Sequence, residues 1–315
     1  MALLLGSHRD FDVADQNLRS CRTCGEWLVR YVPYCTVCNT PVGPVAFPEA
    51  GGTPGEKAEG AVRIAHMSDL HLGRPRATPK PFDTFRIWMD ALAEVGVDIV
   101  AISGDVVQRP GDVKSLRAAR GILEESGLPF VVVPGNHDID RPGKPGSFED
   151  IFGTFPRTET HHGLTFILID SNAGLPPDER RRHERLFARI VCFVEGRVGE
   201  EQLRELDDML EVAPKGPRVL LLHHHLVSQP QWVVRMGLMA PLQDAHVVRR
   251  WAMSQGVILA LHGHHHIMRR AGVQSGGLVV LNGGSSTLEG PPYRARLVDV
   301  HRGGKRRVVP VELRL

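Results

Sequence analysis

The hexapeptide Val133-Pro134-Gly135-Asn136-His137-Asp138 follows directly on an apolar run over 129–133. That run has the length and the valine content of a buried strand, and Pro-Gly ends it in a tight turn. An amide, an imidazole and a carboxylate then follow in succession at the strand's end. Asn136 can ligate a cation through its carbonyl oxygen, which leaves His137 for proton transfer or a phosphate contact. Polar turns also use Asn and Asp, but Gly-Asn-His-Asp is a far more specific string than an ordinary turn.

Read outward in both directions, the same design recurs. Ile64-Ala65-His66-Met67-Ser68-Asp69-Leu70-His71-Leu72-Gly73 is a strand ending in Asp69-x-His71. Alternate strand residues point the same way, so this carboxylate and imidazole are expected to reach one metal. Ile102-Ser103-Gly104-Asp105 ends another strand. The two oxygens of Asp105 can bridge two cations, although a lone Gly-Asp reads equally well as a turn or a cap. Downstream, Leu220-Leu221-Leu222 runs into His223-His224-His225, of which one is expected as a ligand and the others beside it or solvated. Finally, Leu261-His262-Gly263-His264-His265-His266 has a glycine for a sharp turn, and His264 and His266 repeat the spacing of Asp69 and His71. A surface histidine cluster with adventitious affinity is the plainer reading of that last string alone.

Between the motifs, strands are expected near 63–68, 97–103, 129–133, 164–170, 217–222, 256–261, 278–282, 294–300 and 307–313. Helices are expected near 81–95, 112–126, 199–212 and 242–255. Strands alternating with amphipathic helices indicate a layered α/β protein, in which ligands gather at strand C-termini. Pooled there, Asp69, His71, Asp105, Asn136, one of His223 to His225, His264 and His266 are too many ligands for one ion. They suit two ions about 3.5–4 Å apart that share a carboxylate, the arrangement of phosphoester hydrolysis. Mixed oxygen and imidazole donors favour Mn²⁺, Fe²⁺ or Zn²⁺.

The chain has 315 residues, 38 Lys and Arg against 36 Asp and Glu, 42% hydrophobic and 23% charged residues. That balance excludes collagen-like, wholly disordered and disulfide-stapled chains. The net charge of +2 gives no global electrostatic reason for DNA or an acidic membrane as the main partner. No run of about 18 apolar residues occurs, so no membrane span is expected. Met-Ala-Leu-Leu-Leu-Gly at the start is too short for a signal-peptide core, and CxxC pairs without an export signal point to a reducing cytoplasm.

Four of the 5 cysteines form Cys21-x-x-Cys24 and Cys35-x-x-Cys38. Two such knuckles can close a tetrahedral thiolate site around a structural Zn²⁺, with no open position for catalysis. A segment this small builds no core without the metal, and its partner is unassigned. The expected organisation is a flexible tail at 1–20, a zinc-ribbon-like module at 21–45, a Pro/Gly-rich linker at 46–60 and a catalytic domain at 61–315. Cys192 reads as a buried small hydrophobe.

The ordered set Asp-x-His, Gly-Asp, Gly-Asn-His-Asp, His-His and Gly-His-x-His, spanning 69–266, resembles the calcineurin-like metallophosphoesterases. The resemblance implies a four-layer α/β/β/α sandwich, two mixed sheets flanked by helices. It implies one metal held by Asp69, His71 and His266, a second held by Asn136, His223 and His264, and Asp105 bridging. It further implies that His137 protonates the leaving oxygen and that Asp138 orients His137. The family often carries Pro after its histidines; here Leu226 stands there, which leaves His223 and His224 as alternatives. Phe166-Ile167-Leu168-Ile169-Asp170-Ser171 and Gly196-Arg197-Val198-Gly199-Glu200-Glu201-Gln202-Leu203 are most like the single-domain phosphodiesterases that include cyclic-nucleotide hydrolases. The implied activity is hydrolysis of a small nucleotide-type phosphodiester by a metal-bridging hydroxide. A DNA-repair-type nuclease is the alternative, because Ser68-Asp69-Leu70-His71-Leu72-Gly73-Arg74 also resembles the opening motif of the repair exonucleases. A non-catalytic scaffold ranks last, since every ligand type is retained. Two stretches depart from the compact family pattern. One is 173–195, with Arg180, Arg181, Arg182, Arg185 and Arg189; the other is 226–242, with Trp232, Met236 and Met239.

Overall fold

The computed structural model describes residues 57, 59–74, 81–139, 147–174, 196–227, 242–264, 266, 268–273, 278–287, 293–301, 303 and 306–313, with two short strands at 18–20 and 27–29. Those two, β1 (Leu18–Ser20) and β2 (Trp27–Val29), pair antiparallel. The four cysteines of the expected zinc module, Cys192, the five arginines of the first insertion and Trp232, Met236 and Met239 lie outside the described residues.

The rest is two sheets face to face. The first contains β3 (Ala61–Met67), β4 (Ile99–Ile102), β5 (Phe130–Val132), β12 (Tyr293–His301) and β13 (Arg306–Leu313), in the order β13-β12-β3-β4-β5. The second contains β6 (Arg157–His161), β7 (Leu164–Leu168), β8 (Arg218–Leu221), β9 (Val257–His262), β10 (Met268–Val273) and β11 (Leu278–Gly283), in the order β10-β11-β9-β8-β7-β6. The inner strands run parallel: β3, β4 and β5 in one sheet, and β7, β8, β9 and β11 in the other. Their ligand-bearing C-termini therefore emerge on one side.

Burial on both faces explains why these strands read as apolar runs without polar alternation. On β3, Ile64 faces the second sheet among Ile99, Ala101, Phe166, Leu221 and Leu261. Its neighbours Ala65 and Met67 face outward against helix side chains. Helices α1 (Pro81–Glu94), α2 (Val113–Glu125) and α3 (Ser147–Phe152) cover the first sheet through Phe85, Trp88, Leu92, Leu116, Ile122 and Phe148. Helices α4 (Glu200–Val212) and α5 (Ala245–Ser254) cover the second through Leu203, Leu206, Leu210, Val248 and Ala252. The result is the four-layer α/β/β/α sandwich expected from the sequence. Asp112 caps α2 by accepting from the Ser115 N–H at 3.0 Å, and Glu200 and Glu201 favour the positive start of α4.

Two outer strands carry no strand signal in the sequence. β6 is Arg-Thr-Glu-Thr-His, half-exposed at an edge, so it carries no apolar signal. β10 is the opposite edge and reads Met-Arg-Arg-Ala-Gly-Val. The six-residue α3 is likewise too short to show a period. No described helix is long and apolar enough to cross a membrane.

Candidate metal centre

All the expected ligand positions converge at the strand C-termini. The backbone first continues the β3–β4 pairing beyond the strands: Asp69 N–H donates to the Gly104 carbonyl at 3.1 Å and His71 N–H to the Asp105 carbonyl at 2.9 Å. From the other sheet, Gly263 N–H donates to the His223 carbonyl at 3.0 Å. Each motif is thereby stitched to its neighbour before any side chain acts.

The convergence of Asp69 with His71, and of His264 with His266, has a different cause from the strand alternation expected. β3 ends at Met67 and β9 at His262, so all four residues lie past their strands. Six described non-glycine residues have positive φ, and five of them are here: Asp69 at 52°, His71 at 45°, Asp105 at 51°, His264 at 75° and His266 at 52°. This left-handed conformation is rare for residues with a Cβ and clusters at functional sites, held by its surroundings. Two glycines make the approach close enough. A Cβ at Gly135 would stand 2.2 Å from Asp105 Oδ1, and one at Gly263 would stand 1.7 Å from Ser68 Oγ.

The side chains form two overlapping nests about Asp105. In one, His266 Nε2 is 3.4 Å from Asp69 Oδ1 and 3.1 Å from His71 Nε2, and His71 Nε2 is 3.6 Å from Asp105 Oδ2. In the other, His223 Nε2 is 3.5 Å from Asp105 Oδ1, 3.0 Å from Asn136 Oδ1 and 3.2 Å from His264 Nδ1. His264 Nδ1 is also 3.0 Å from Asn136 Oδ1. The donor atoms of Asp69, His71 and His266 lie within 4.8 Å of one another, as do those of Asp105, His223 and His264.

Protonation decides what such a cluster can hold. His223 Nδ1 donates to the Ser103 carbonyl at 2.8 Å, so in the neutral tautomer Nε2 carries the lone pair. That lone pair faces the carbonyl oxygen of Asn136 and the carboxylate of Asp105. Acceptors converging on acceptors in a buried site are unfavourable until a cation stands among them. The residues therefore fit a divalent metal pair, with oxygen and imidazole donors and a carboxylate placed between the two nests. His71 supports this: burial, then His266 and His137, hold its imidazole well below its ordinary pKa, so it offers a neutral nitrogen. Burial pushes Asp105 up, but His223, His137 and the His137 N–H outweigh it and hold the carboxyl below its usual range.

Of the three adjacent histidines, His223 enters the cluster. His224 turns away, its Nδ1 2.7 Å from Ser171 Oγ, with its ring 4.7 Å from that of His264. His225 packs near His262 and His264. None of the three is solvated; all are fully buried.

His137 lies edge-on to His71, ring centroids 4.8 Å apart. Its Nδ1 faces the Gln108 carbonyl at 2.9 Å, and its N–H donates to Asp105 Oδ1 at 2.9 Å. Asp138, expected to orient this ring, takes its hydrogen bonds from backbone. Asp138 Oδ2 accepts from Val106 N–H at 3.0 Å and Gly135 N–H at 2.9 Å, and Oδ1 accepts from Val107 N–H at 2.9 Å. The carboxylate ties the Gly-Asp loop to the Gly-Asn-His-Asp loop, while the Gln108 carbonyl fixes the imidazole. Adjacency in sequence suggested an Asp–His pair; a carboxylate satisfied wholly by backbone leaves no trace in residue type. Burial and then Asp105 push Asp138 up to about 7. Asn136, His137 and His264 are 8–9% exposed and the His266 side chain is 26% exposed, whereas Asp69 and Asp138 are fully buried, so the site opens along these four residues.

A family model for calcineurin-like phosphoesterases matches residues 62–268. The DNA double-strand break repair protein Mre11 of Sulfurisphaera tokodaii is 27% identical over 143 residues, 41% of this chain and only 37% of that protein's length. The 3',5'-cyclic adenosine monophosphate phosphodiesterase CpdA of Vibrio vulnificus is 24% identical over 217 residues, covering 66% of this chain and 71% of that one. A dimetal phosphatase from Danio rerio shares the fold, with a TM-score of 0.53 at 16% identity over 80% of this chain and 98% of that one. The five motifs stand in family order on strand ends of the family's sandwich, and the family match spans most of both sheets: this chain belongs to the calcineurin-like phosphoesterases.

Proposed function

We propose that the chain is a two-metal phosphodiesterase acting on a small nucleotide-type ester such as a cyclic nucleotide. The observation that carries this reading is the lone pair of His223 Nε2, aimed at two oxygen acceptors. Asp69, His71, His266 and Asp105 would hold one cation, and Asp105, Asn136, His223 and His264 the other. Two divalent cations there would neutralise phosphate charge and acidify a water between them. The chain's own residues do the rest. His71, held well below its ordinary pKa by burial, offers a neutral nitrogen. The Gln108 carbonyl accepts from His137 Nδ1, so the proton that would pass to the leaving oxygen is the second proton of the ring, carried on Nε2 of the imidazolium. Asp138 keeps Asn136 and Asp105 in register through the backbone of Gly135, Val106 and Val107.

A small substrate is supported by the near-neutral net charge and by the similarity to CpdA along 71% of that enzyme. The similarity to Mre11 favours a nuclease as the second reading, over a shorter stretch. With Mn²⁺ the protein is expected to hydrolyse bis(p-nitrophenyl) phosphate, and His137→Ala to lower turnover by about 10²–10⁴-fold. Full activity in His137→Ala would remove His137 from the mechanism. Cyclic nucleotides compared with single-stranded and duplex DNA separate the two readings; faster cleavage of DNA would favour the nuclease. A structural Zn²⁺ on Cys21, Cys24, Cys35 and Cys38, in a module apart from a catalytic domain at 61–315, belongs to the same proposal. Cys21→Ser should remove one zinc per chain while leaving the Mn²⁺-dependent activity, and an unchanged zinc content would reject it.

A further inference from the structure

The chain crosses from the second sheet to the first between β11 and β12, and it does so over the end of β3. The end of β11 and the start of the crossing read Asn282-Gly283-Gly284-Ser285-Ser286-Thr287, a string without His, Asp, Glu or Cys. Its hydrogen bonds nevertheless go to the metal-centre backbone. Ser286 N–H donates to the Ser68 carbonyl at 3.0 Å, and Ser68 N–H donates to Ser286 Oγ at 3.3 Å. Ser285 Oγ donates to the Asp69 carbonyl at 2.9 Å, and Thr287 Oγ1 donates to the Leu70 carbonyl. Three consecutive carbonyls, those of 68, 69 and 70, are thus held from one loop.

The loop is itself anchored. Trp88 Nε1 on α1 donates to the Ser286 carbonyl at 2.8 Å. Arg296 Nε on β12 donates to the Asn282 carbonyl at 3.2 Å, and the Gly284 N–H caps Asn282 Oδ1 at 3.0 Å. Asn282 Nδ2 then donates to the Gly263 carbonyl at 2.9 Å, at the turn that delivers His264. Gly283 permits the close approach: a Cβ there would stand 3.0 Å from His66 Nε2 and 3.0 Å from Ser68 Cβ.

What this loop grips is the segment in which Asp69 and His71 both adopt positive φ. Such backbone persists only where its surroundings over-determine it. Neither residue is a glycine, so the conformation must be imposed from outside. We propose that 282–287 is a latch that holds the left-handed Asp69–His71 turn, so that the hydroxyls of Ser285 and Thr287 set the metal affinity of the Asp69/His71/His266 nest without touching the metal. The proposal rests on the two-metal reading. Partners that orient ligands in this indirect way typically carry about 10–100-fold in metal affinity.

The test is a Mn²⁺ titration of the intact protein followed by electron paramagnetic resonance, with His71→Ala marking which ion belongs to that nest. In the double variant Ser285→Ala, Thr287→Val, the ion that His71→Ala loses should bind about 10–100-fold more weakly. The other ion should bind as in the wild type, and Thr287→Ser alone, which keeps both hydroxyls, should bind both ions as the wild type does. Thr287→Val alone is isosteric and carries the same comparison if the double variant does not fold. Equal weakening of both ions would show a merely structural loop and overturn the proposal, as would unchanged titration of both. A wild-type protein that takes up no pair of Mn²⁺ ions fails the two-metal reading itself, and the latch with it. Normal uptake with unaffected variants fails the latch alone.

Discussion

Replacing Asp138 separates two roles that its place in Gly-Asn-His-Asp leaves confounded. Its carboxylate accepts three backbone N–H groups, from Val106, Val107 and Gly135. Asp138→Ala leaves these three donors without an acceptor in a fully buried position. Each orphaned donor costs about 1–3 kcal/mol, so the variant should lose about 3–6 kcal/mol if water partly re-satisfies them. That is a large share of a typical 5–15 kcal/mol domain stability. Asp138→Asn should lose less. Its amide oxygen can occupy the Oδ2 position and keep Val106 and Gly135, stranding only Val107, for about 1–3 kcal/mol. Loss of the charge beside Asp105, which helps to push this carboxyl up to about 7, offsets part of that. The assay is urea denaturation in the presence of EDTA, alongside Mn²⁺-dependent turnover and its pH profile. Stability should fall in the order wild type, Asn, Ala, and the pH profile of the residual activity should keep its shape because His137 is held by the Gln108 carbonyl. An Ala variant within about 1 kcal/mol of the wild type but as inactive as His137→Ala would refute the reasoning and restore Asp138 as the partner of that imidazole.

Gly135→Ala places a Cβ 2.2 Å from Asp105 Oδ1 and 2.3 Å from Asp105 N. The two loops must separate by roughly 1 Å, a displacement that can cost about 10²-fold in turnover; wild-type turnover in this variant would contradict the packing. The metal-free protein should also be acid-sensitive. Burial above all holds His66 well below its ordinary pKa and takes His262 down to about 3, so as pH falls below about 6.5 the unfolded chain takes up protons that the folded chain refuses. Each histidine therefore costs about 1.4 kcal/mol per pH unit. His71 acts in the same direction, while Asp138, protonated first in the folded state, opposes one of them. Stability should fall as pH drops from 6 to 4, read by denaturation in EDTA; flat or rising stability towards acid would contradict the burial of these rings.

The parts of the molecule legible in the sequence are those where chemistry and architecture demand the same residues. Parallel strands buried on both faces must be apolar, and ligands must follow their ends, so Asp69, Asp105, Asn136, His223 and His264 announced both the sheet and the site. The reason Asp69 meets His71 was not legible. Both lie beyond β3 in left-handed backbone, and no local residue type signals that conformation, because it is imposed by 282–287 from far along the chain. His223 and His224 are chemically identical neighbours; the Ser103 carbonyl on one and Ser171 on the other turn their rings in different directions. The edge strands β6 and β10 escaped notice because an edge need not be apolar. Asp138 looked catalytic because it adjoins His137, yet its partners are backbone amides, which any sequence supplies.

The central claim is that two ions share Asp105. Electron paramagnetic resonance of the wild-type protein loaded with two equivalents of Mn²⁺ tests it most directly. The expected result is the multiline signal of an exchange-coupled pair, replaced in Asp105→Ala by the spectrum of isolated ions or of unbound Mn²⁺. A six-line spectrum of uncoupled ions in the fully loaded wild type would contradict a shared ligand, and with it the two-metal account of this site.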